Sequence, residues 1–537
     1  MKKTLHTSYD YIIVGAGSAG CVLANKLSEN PKHTVLLIEA GPDDTSPLIR
    51  MPRGIGKLLV PGDPHVWDYR VTPAGNLPEE VWLKGRAIGG SSSINGMVYV
   101  RGAPADYDHW RDLGCLGWGW DVMGRHFVAL EDHALGAGAS RGVGGPLKVS
   151  VHPAGNPLCE AVLEAASSLG APRVADVNDI HAVADGGMGY QTVTTFKGKR
   201  VSAARAFLDP VRARANLHIL TEAEAQGIDF LDKRASGVTV RDKTGLRRFN
   251  AGREIILCAG AIQTPKLLQL SGIGPGALLS NHGLEVIAES PDVGRNLREH
   301  RYLSTQYRVK SASLNQRFVG LGLIGSALEY ALRSKGPLTH AAHEVGGFVK
   351  TRPGLDRADA QIGVGLYSFG VGAKGEVAVD PYPGMTILGY FTRPESQGEI
   401  RITSPAPDAP LAIQANHFSA EIDRTSAISL FRWLRALGRQ SALAPWIVEE
   451  TGPSAAIETD EDILTNAISL GGTSFHVAGT CRMGADARAV LDPSLRVRGV
   501  DGLRVADTSI MPTLVSGNTN APAMAIGLNA AALITAA

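Results

Sequence analysis

One stretch, residues 9–39, constrains the fold of this chain more than any other. Tyr9-Asp10-Tyr11-Ile12-Ile13-Val14 is apolar and β-branched, which predicts a buried strand. Gly15-Ala16-Gly17-Ser18-Ala19-Gly20 follows at once, Cys21 to Leu27 predicts a helix, and Thr34 to Ile38 predicts a second strand that runs into Glu39. Strand, G-x-G-x-x-G turn, helix and strand in that order make a βαβ unit of the dinucleotide-binding kind. Gly15 permits the tight turn, Gly17 lets backbone approach a pyrophosphate, and Gly20 lets the helix close on the strand. Ser18 and Ala19 stand where a helix N-terminus offers free N–H groups and the positive end of its dipole. Glu39 lies nineteen residues beyond Gly20, where an acid accepts hydrogen bonds from ribose hydroxyls, with Ala40 beside it. The unit alone does not separate NAD from FAD.

At 537 residues the chain is too long for one ordinary core and suits two interleaved domains. A composition of 44% hydrophobic and 20% charged residues is that of a soluble globular protein. The net charge of +1 speaks against electrostatic capture of nucleic acid or of an anionic membrane. Residues 1–10 show no apolar signal core, and Tyr11 to Val14 is too short to span a bilayer, so no transmembrane segment is expected. The five cysteines are scattered, odd in number and without metal spacing, which predicts reduced, buried thiols and a cytoplasmic location. His340 and His343 could share a helix face, but no further ligand stands at a suitable spacing, so no metal site is expected.

From Arg301 to Phe475 the pattern changes. Met385 to Phe391 and Gly398 to Ile402 alternate as antiparallel strands do, whereas Ile422 to Gly438 and Glu461 to Ser469 read as helices. His300 reads as a core residue at the boundary.

Gly85-Arg86-Ala87-Ile88-Gly89-Gly90-Ser91-Ser92-Ser93-Ile94-Asn95-Gly96-Met97-Val98 contains a loop rich in N–H and hydroxyl groups and poor in bulk. Such a loop can lie against a planar ring and a phosphate. The apolar Ile88, Ile94, Met97 and Val98 around it argue against an exposed linker. This segment to Gly102, and Gly260-Ala261-Ile262-Gln263-Thr264-Pro265 onward to Pro275, resemble the two signatures of the glucose–methanol–choline (GMC) oxidoreductases. His476-Val477-Ala478-Gly479-Thr480-Cys481-Arg482-Met483-Gly484, Gly502 to Asp507 and Gly517 to Pro522 are similar to further landmarks of that family.

The resemblance implies an α/β fold (α+β overall): a Rossmann-like FAD-binding domain and a substrate domain built on a large antiparallel sheet. It assigns 8–155, 195–300 and 485–537 to the first and 156–194 and 301–484 to the second. It implies FAD contacts from Arg86, Gly89, Gly90, Ser91 and the Asn95-Gly96-Met97-Val98 run. It adds an adenine contact at Ala225, an acidic contact at Asp507, and contacts at Asn520 and Ala521. Some members carry a flavin-linked histidine where this chain has Ile94, so the FAD is expected to be non-covalent.

A lone histidine is more often structural, but the match makes His476 the expected catalytic base, since an imidazole that titrates near neutrality can accept a hydroxyl proton. Asn520 resembles its partner, and also suits a helix N-cap ahead of Pro522. The implied activity is oxidation of a primary alcohol to an aldehyde, with electrons passed to oxygen or a quinone-type acceptor. Gly96 suggests room for oxygen. Gly363 to Phe369 lean toward an apolar or aromatic alcohol, and no acid-plus-aromatic cage for a quaternary ammonium is evident, although Trp67, Tyr367, Phe369 and Phe391 could line a pocket. The alternatives are a lyase of the same fold that cleaves cyanohydrins, and a NAD-dependent dehydrogenase sharing only the βαβ unit. The oligomeric state is left open.

Overall fold

The computed structural model describes residues 5–72, 79–371 and 377–536. Its first sheet grows from the strand Ser8–Val14, which lies parallel between Val35–Ile38 and the second half of Gly245–Leu257. Leu217–Leu220 extends the parallel set on one side, and Leu503–Val505 pairs in parallel with Gly245–Leu257. The first half of Gly245–Leu257 turns into an antiparallel meander with Arg234–Asp242 and Glu224–Leu231. The central strands are apolar on both faces because helices cover them, as a parallel sheet requires.

The helix Ser18–Leu27 starts three residues earlier than the sequence pattern suggests and packs against the C-terminal helix Asn520–Thr535. A Cβ on Gly527 would lie 2.8 Å from the Ala19 carbonyl oxygen, so the two backbones meet in near contact. Asn520 is the first residue of that helix rather than its N-cap; Thr519 holds the cap position.

The second sheet is antiparallel throughout. Its strands run in the order Ile447–Gly452, Arg301–Val309, Gly384–Phe391, Ala360–Gly365, Val345–Val349 and Gly187–Tyr190, with Gly472–Thr473 paired to the start of Arg301–Val309. Side chains alternate along each strand. Met385 and Ile387 pack with Leu430, Phe431 and Leu434 of the helix Glu421–Gly438, whereas Leu388 and Tyr390 face a cavity between this sheet and the first glycine turn. His340 and His343 are not on a helix. They lie in the connection between the short 3-10 turn Pro337–Thr339 and the strand Val345–Val349.

All five cysteines are buried and unpaired. Among the described residues no helix is long and apolar enough to cross a membrane.

Candidate active site

The cavity holds about 420 Å³ and is lined by the first glycine turn at one end and by Tyr390 and His476 at the other. The turn is built by steric exclusion. Gly15 has φ +104°, and a Cβ on it would sit 2.4 Å from the Cys258 carbonyl oxygen. A Cβ on Gly20 would sit 1.9 Å from the Gly15 carbonyl oxygen, so helix and turn can meet only over glycine. Gly17 is different. The nearest protein atom to a Cβ there is 3.9 Å away, which leaves its backbone open. A Cβ on Gly90 would lie 2.8 Å from the Gly17 Cα, so the second glycine loop closes directly onto the first.

Ser18 and Ala19 line the cavity at the start of their helix. Glu39 is buried beside them. Its Oε2 accepts from the Ala16 N–H at 2.9 Å and its Oε1 from the Gly41 N–H at 3.0 Å, while burial pushes its carboxyl up to about 7. Ala40 and Ala225 line the same end, and Ser91, Asn95, Gly96, Met97 and Val98 line the middle. Met97 has φ +63°, and its N–H bonds to Asn95 Oδ1 at 3.1 Å. Arg200 clamps that loop from behind through the Asn95 carbonyl and Oδ1, each at 2.7 Å.

Four expected contacts do not line the cavity. Gly20 serves helix packing, and Gly89 braces the turn from behind by donating to the Ala16 carbonyl at 2.7 Å. Arg86 lays its guanidinium over the Trp67 ring at 4.6 Å, and Ala521 is buried in the C-terminal helix. Asp507 does line it, but its oxygens already accept from the Gly260 N–H, Thr264 Oγ1 and the Ser509 N–H at 2.7–2.9 Å.

His476 follows Phe475, a non-glycine residue held at φ +64°. Three bonds hold this uncommon turn: Phe475 N–H to Thr473 Oγ1 at 2.9 Å, Lys84 Nζ to the Phe475 carbonyl at 2.9 Å, and His476 N–H to Glu299 Oε1 at 2.8 Å. Glu299 also accepts from Thr473 Oγ1.

The ring's own partners fix its protons. His300 Nε2 lies 2.9 Å from the Thr392 carbonyl oxygen, which can only accept, so Nε2 carries the hydrogen. Burial pushes His300 down to about 4, so the ring is neutral and its Nδ1 is an acceptor. His476 Nδ1 lies 3.0 Å away and must therefore be the donor. Burial, with His300 and Lys84 nearby, holds His476 well below the usual histidine range. Its Nε2 is thus left with a lone pair at neutral pH. That lone pair meets the Asn518 amide nitrogen at 3.0 Å. Asn518 Oδ1 accepts from Gln361 Nε2 at 3.0 Å, and Gln361 Oε1 accepts from the Tyr390 hydroxyl at 2.6 Å, so the amide is turned the right way to donate.

Asn520 is not the neighbour of His476. Its Oδ1 accepts from Ser18 Oγ at 2.7 Å, tying the C-terminal helix to the glycine-turn helix. The side chain against His476 is Asn518, two residues earlier and just outside the helix. Ala342 packs against Gly96. A Cβ there would lie 2.6 Å from Ala342 Cβ, and Ala342 N–H bonds to the Gly96 carbonyl at 3.0 Å, so the missing side chain is filled by a neighbour. The ligand atoms of His152, His340 and Glu344 fall within 4.8 Å of one another, but Arg53 already holds the Glu344 carboxylate at 3.0 Å.

The family models described as GMC oxidoreductase match residues 9–302 and 394–527. The chain belongs to the GMC oxidoreductase family. It is 40% identical to "Alcohol dehydrogenase [acceptor]" of Pseudomonas putida over 98% of this chain and 95% of that protein. It is 37% identical to "Choline dehydrogenase, mitochondrial" of Homo sapiens over 98% and 89%. The crystal structure of pyridoxine 4-oxidase from Mesorbium loti superposes with a TM-score of 0.86 at 33% identity, covering 98% of each chain. As a GMC oxidoreductase the chain is an FAD-dependent enzyme acting on CH–OH groups. The cavity suits such a polar cofactor: Ser474 Oγ and Gln191 Oε1 line it and are buried without a hydrogen-bond partner, as groups awaiting a ligand are.

His300→Phe keeps an aromatic ring against Tyr390 but removes the acceptor for His476 Nδ1–H. The expected result is a loss of roughly 10- to 100-fold in kcat with little change in KM and an altered acid limb of the pH profile. Steady-state pH profiles of both enzymes check this.

Proposed function

We propose that this GMC enzyme oxidises neutral primary alcohols with an apolar body to aldehydes, with His476 Nε2 as the base and an acceptor other than oxygen. The observation that carries the reading is the pair of hydrogen-bond chains that leave an unprotonated Nε2 at the cavity wall. Ser18 and Ala19 would meet the pyrophosphate, Glu39 the ribose, Ala225 the adenine, and Asn95 to Val98 the ring system of FAD. Ile94 offers no nucleophile, which supports non-covalent FAD. Bound FAD supplies the two-electron acceptor for the hydride leaving the carbinol carbon. His476 takes the hydroxyl proton, and Asn518 holds the substrate oxygen through its amide N–H groups. Lys84, half-buried at the cavity wall, favours the anionic oxygen that forms as the proton leaves.

The substrate preference rests on charge. Among the described residues the carboxylates that line the cavity are Glu39, Glu224 and Asp507. Glu39 and Asp507 are held by N–H donors, and Glu224 adjoins the adenine end at Ala225. Near His476 the cavity wall carries Lys84, Phe475 and Tyr390, while Glu299, which accepts from the His476 N–H, does not line the cavity, an arrangement that supports a neutral guest and not a quaternary ammonium. The name of the 40% identical relative is in keeping with this. The Ala342 packing over Gly96 supports an acceptor other than oxygen.

A panel of aliphatic and aromatic primary alcohols plus choline, assayed with oxygen and with an artificial acceptor, tests the reading. Choline should fall below the best alcohol by roughly 10²- to 10³-fold in kcat/KM, the scale of an uncompensated buried charge. Turnover should need the artificial acceptor and release little hydrogen peroxide. Choline as the best substrate, or stoichiometric peroxide, would overturn those parts of the proposal.

A further inference from the structure

The helix Gly320–Arg333 is built inside out. Two small residues face the protein: Gly322 packs on the Gln316 carbonyl, where a Cβ would lie 1.8 Å away, and Ser326 is fully buried, its hydroxyl bonded to the Arg317 carbonyl at 2.9 Å. Its apolar residues face solvent. Leu321 is 85% exposed, Ile324 57%, Leu328 57% and Leu332 81%, at the i, i+3, i+7, i+11 spacing of one continuous stripe. Exposed Val319 and Leu323 widen it. Soluble surfaces rarely leave so much contiguous apolar area uncovered unless something docks there.

The charges around the stripe say what docks. Within residues 310–336 Glu329 is the sole acid, and Arg317 pairs with it at 2.7 Å. Arg333 and Lys335 stand exposed at the C-terminal end of the helix. The turn at Gly198 packs onto the Ser334 carbonyl and brings in exposed Phe196, Lys197 and Lys199. Among the described residues none of these four cations has an ion-pair partner. We propose that this face is a docking surface for an anionic phospholipid bilayer, with the helix lying in the plane of the interface. A second copy of the chain fits less well, because this face offers four cations and its one acid, Glu329, is already paired with Arg317, so a copy brings no carboxylate to meet them. The whole-chain charge of +1 hides this rim, since it averages over both ends of the molecule. Fourteen residues of helix span about 21 Å, too short to cross a bilayer but suited to lying along one.

The location has a functional reading. Pro337–Thr339, just after the helix, packs against Pro52–Gly54, and the chain continues from there into Ile55 and Leu59, which line the active-site cavity. Docking would set that lip beside the hydrocarbon phase, where apolar alcohols and apolar acceptors concentrate. The docking claim stands apart from the proposed chemistry, because vesicle binding is read without turnover.

The test is co-sedimentation of the FAD-loaded enzyme with vesicles of phosphatidylcholine alone or with 30 mol% phosphatidylglycerol added. The expected result is binding about tenfold or more stronger to the anionic vesicles, weakened by salt, and lost about tenfold or more in the L321Q/L328Q/L332Q variant. That variant should keep its FAD and its alcohol turnover in solution, since none of the three side chains reaches the cavity. A second variant, K197E/K335E, should lose the preference for anionic vesicles while leaving the apolar stripe intact. No vesicle binding, equal binding to both vesicles, or undiminished binding by the triple variant would each overturn the proposal. So would a wild-type dimer that the triple substitution splits.

Discussion

Replacing His476 with alanine is expected to slow alcohol-dependent reduction of bound FAD by roughly 10²- to 10⁴-fold, the usual contribution of a general base. FAD should stay bound, because the turn that carries His476 is held by Glu299, Thr473 and Lys84 through backbone and neighbouring groups and not through the imidazole. The loss should fall on the reduction step itself, which anaerobic stopped flow resolves. Asn518→Ala should cost less, because it removes one donor to the oxygen and leaves the lone pair in place. Asn520→Ala should act differently again: it releases Ser18 at the start of the glycine-turn helix, so its effect belongs in FAD affinity. Near-normal reduction in the His476 variant would remove that residue from the base role.

Gly20→Ala and Gly17→Ala should separate packing from cofactor contact. The new Cβ at residue 20 would fall 1.9 Å from a backbone carbonyl oxygen, which no rotamer change relieves. The expected cost is at least the 1–3 kcal/mol usual for overpacking, about 2–4 °C per kcal/mol or less in a chain of this size, together with poor FAD retention. At residue 17 the nearest protein atom to the new Cβ is 3.9 Å away, so the apoprotein should melt close to wild type while FAD binding weakens. Thermal midpoints of the apoproteins and flavin-to-protein ratios of the purified variants read the two effects apart. A Gly20 variant with native stability and full flavin content would contradict the steric account.

The two positions also show what the sequence made legible. A βαβ unit is contiguous, so strand, turn, helix and acid can be read along the chain, and Gly15, Gly20 and Glu39 stand in the structure where that pattern puts them. The His476 region has no such local grammar. The base tautomer depends on Thr392 and His300, and the orientation of Asn518 on Gln361 and Tyr390, which come from separate strands and meet only in the folded sheet. Asn518 and Asn520 are two residues apart. Both line the cavity, but which of them meets His476 is decided by where the last helix begins, and element boundaries are the least readable feature of a sequence. Gly96 illustrates another limit. A missing side chain is visible in the sequence, but the Ala342 that fills its place is not. The helix Gly320–Arg333 shows the same thing in reverse: its periodicity announces an apolar face and says nothing about which way that face points.

The central claim is that His476 is neutral at working pH with its hydrogen on Nδ1, so that the Nε2 lone pair, which meets the Asn518 amide in this structure, can take the alcohol proton. Long-range ¹H–¹⁵N NMR of FAD-loaded enzyme labelled on histidine nitrogens, with His476 and His300 assigned by His476→Gln and His300→Gln, measures this directly. The expected result is the Nδ1–H tautomer for His476 and the Nε2–H tautomer for His300, both unchanged across neutral pH. An imidazolium at residue 476, or a hydrogen resident on its Nε2, would contradict it.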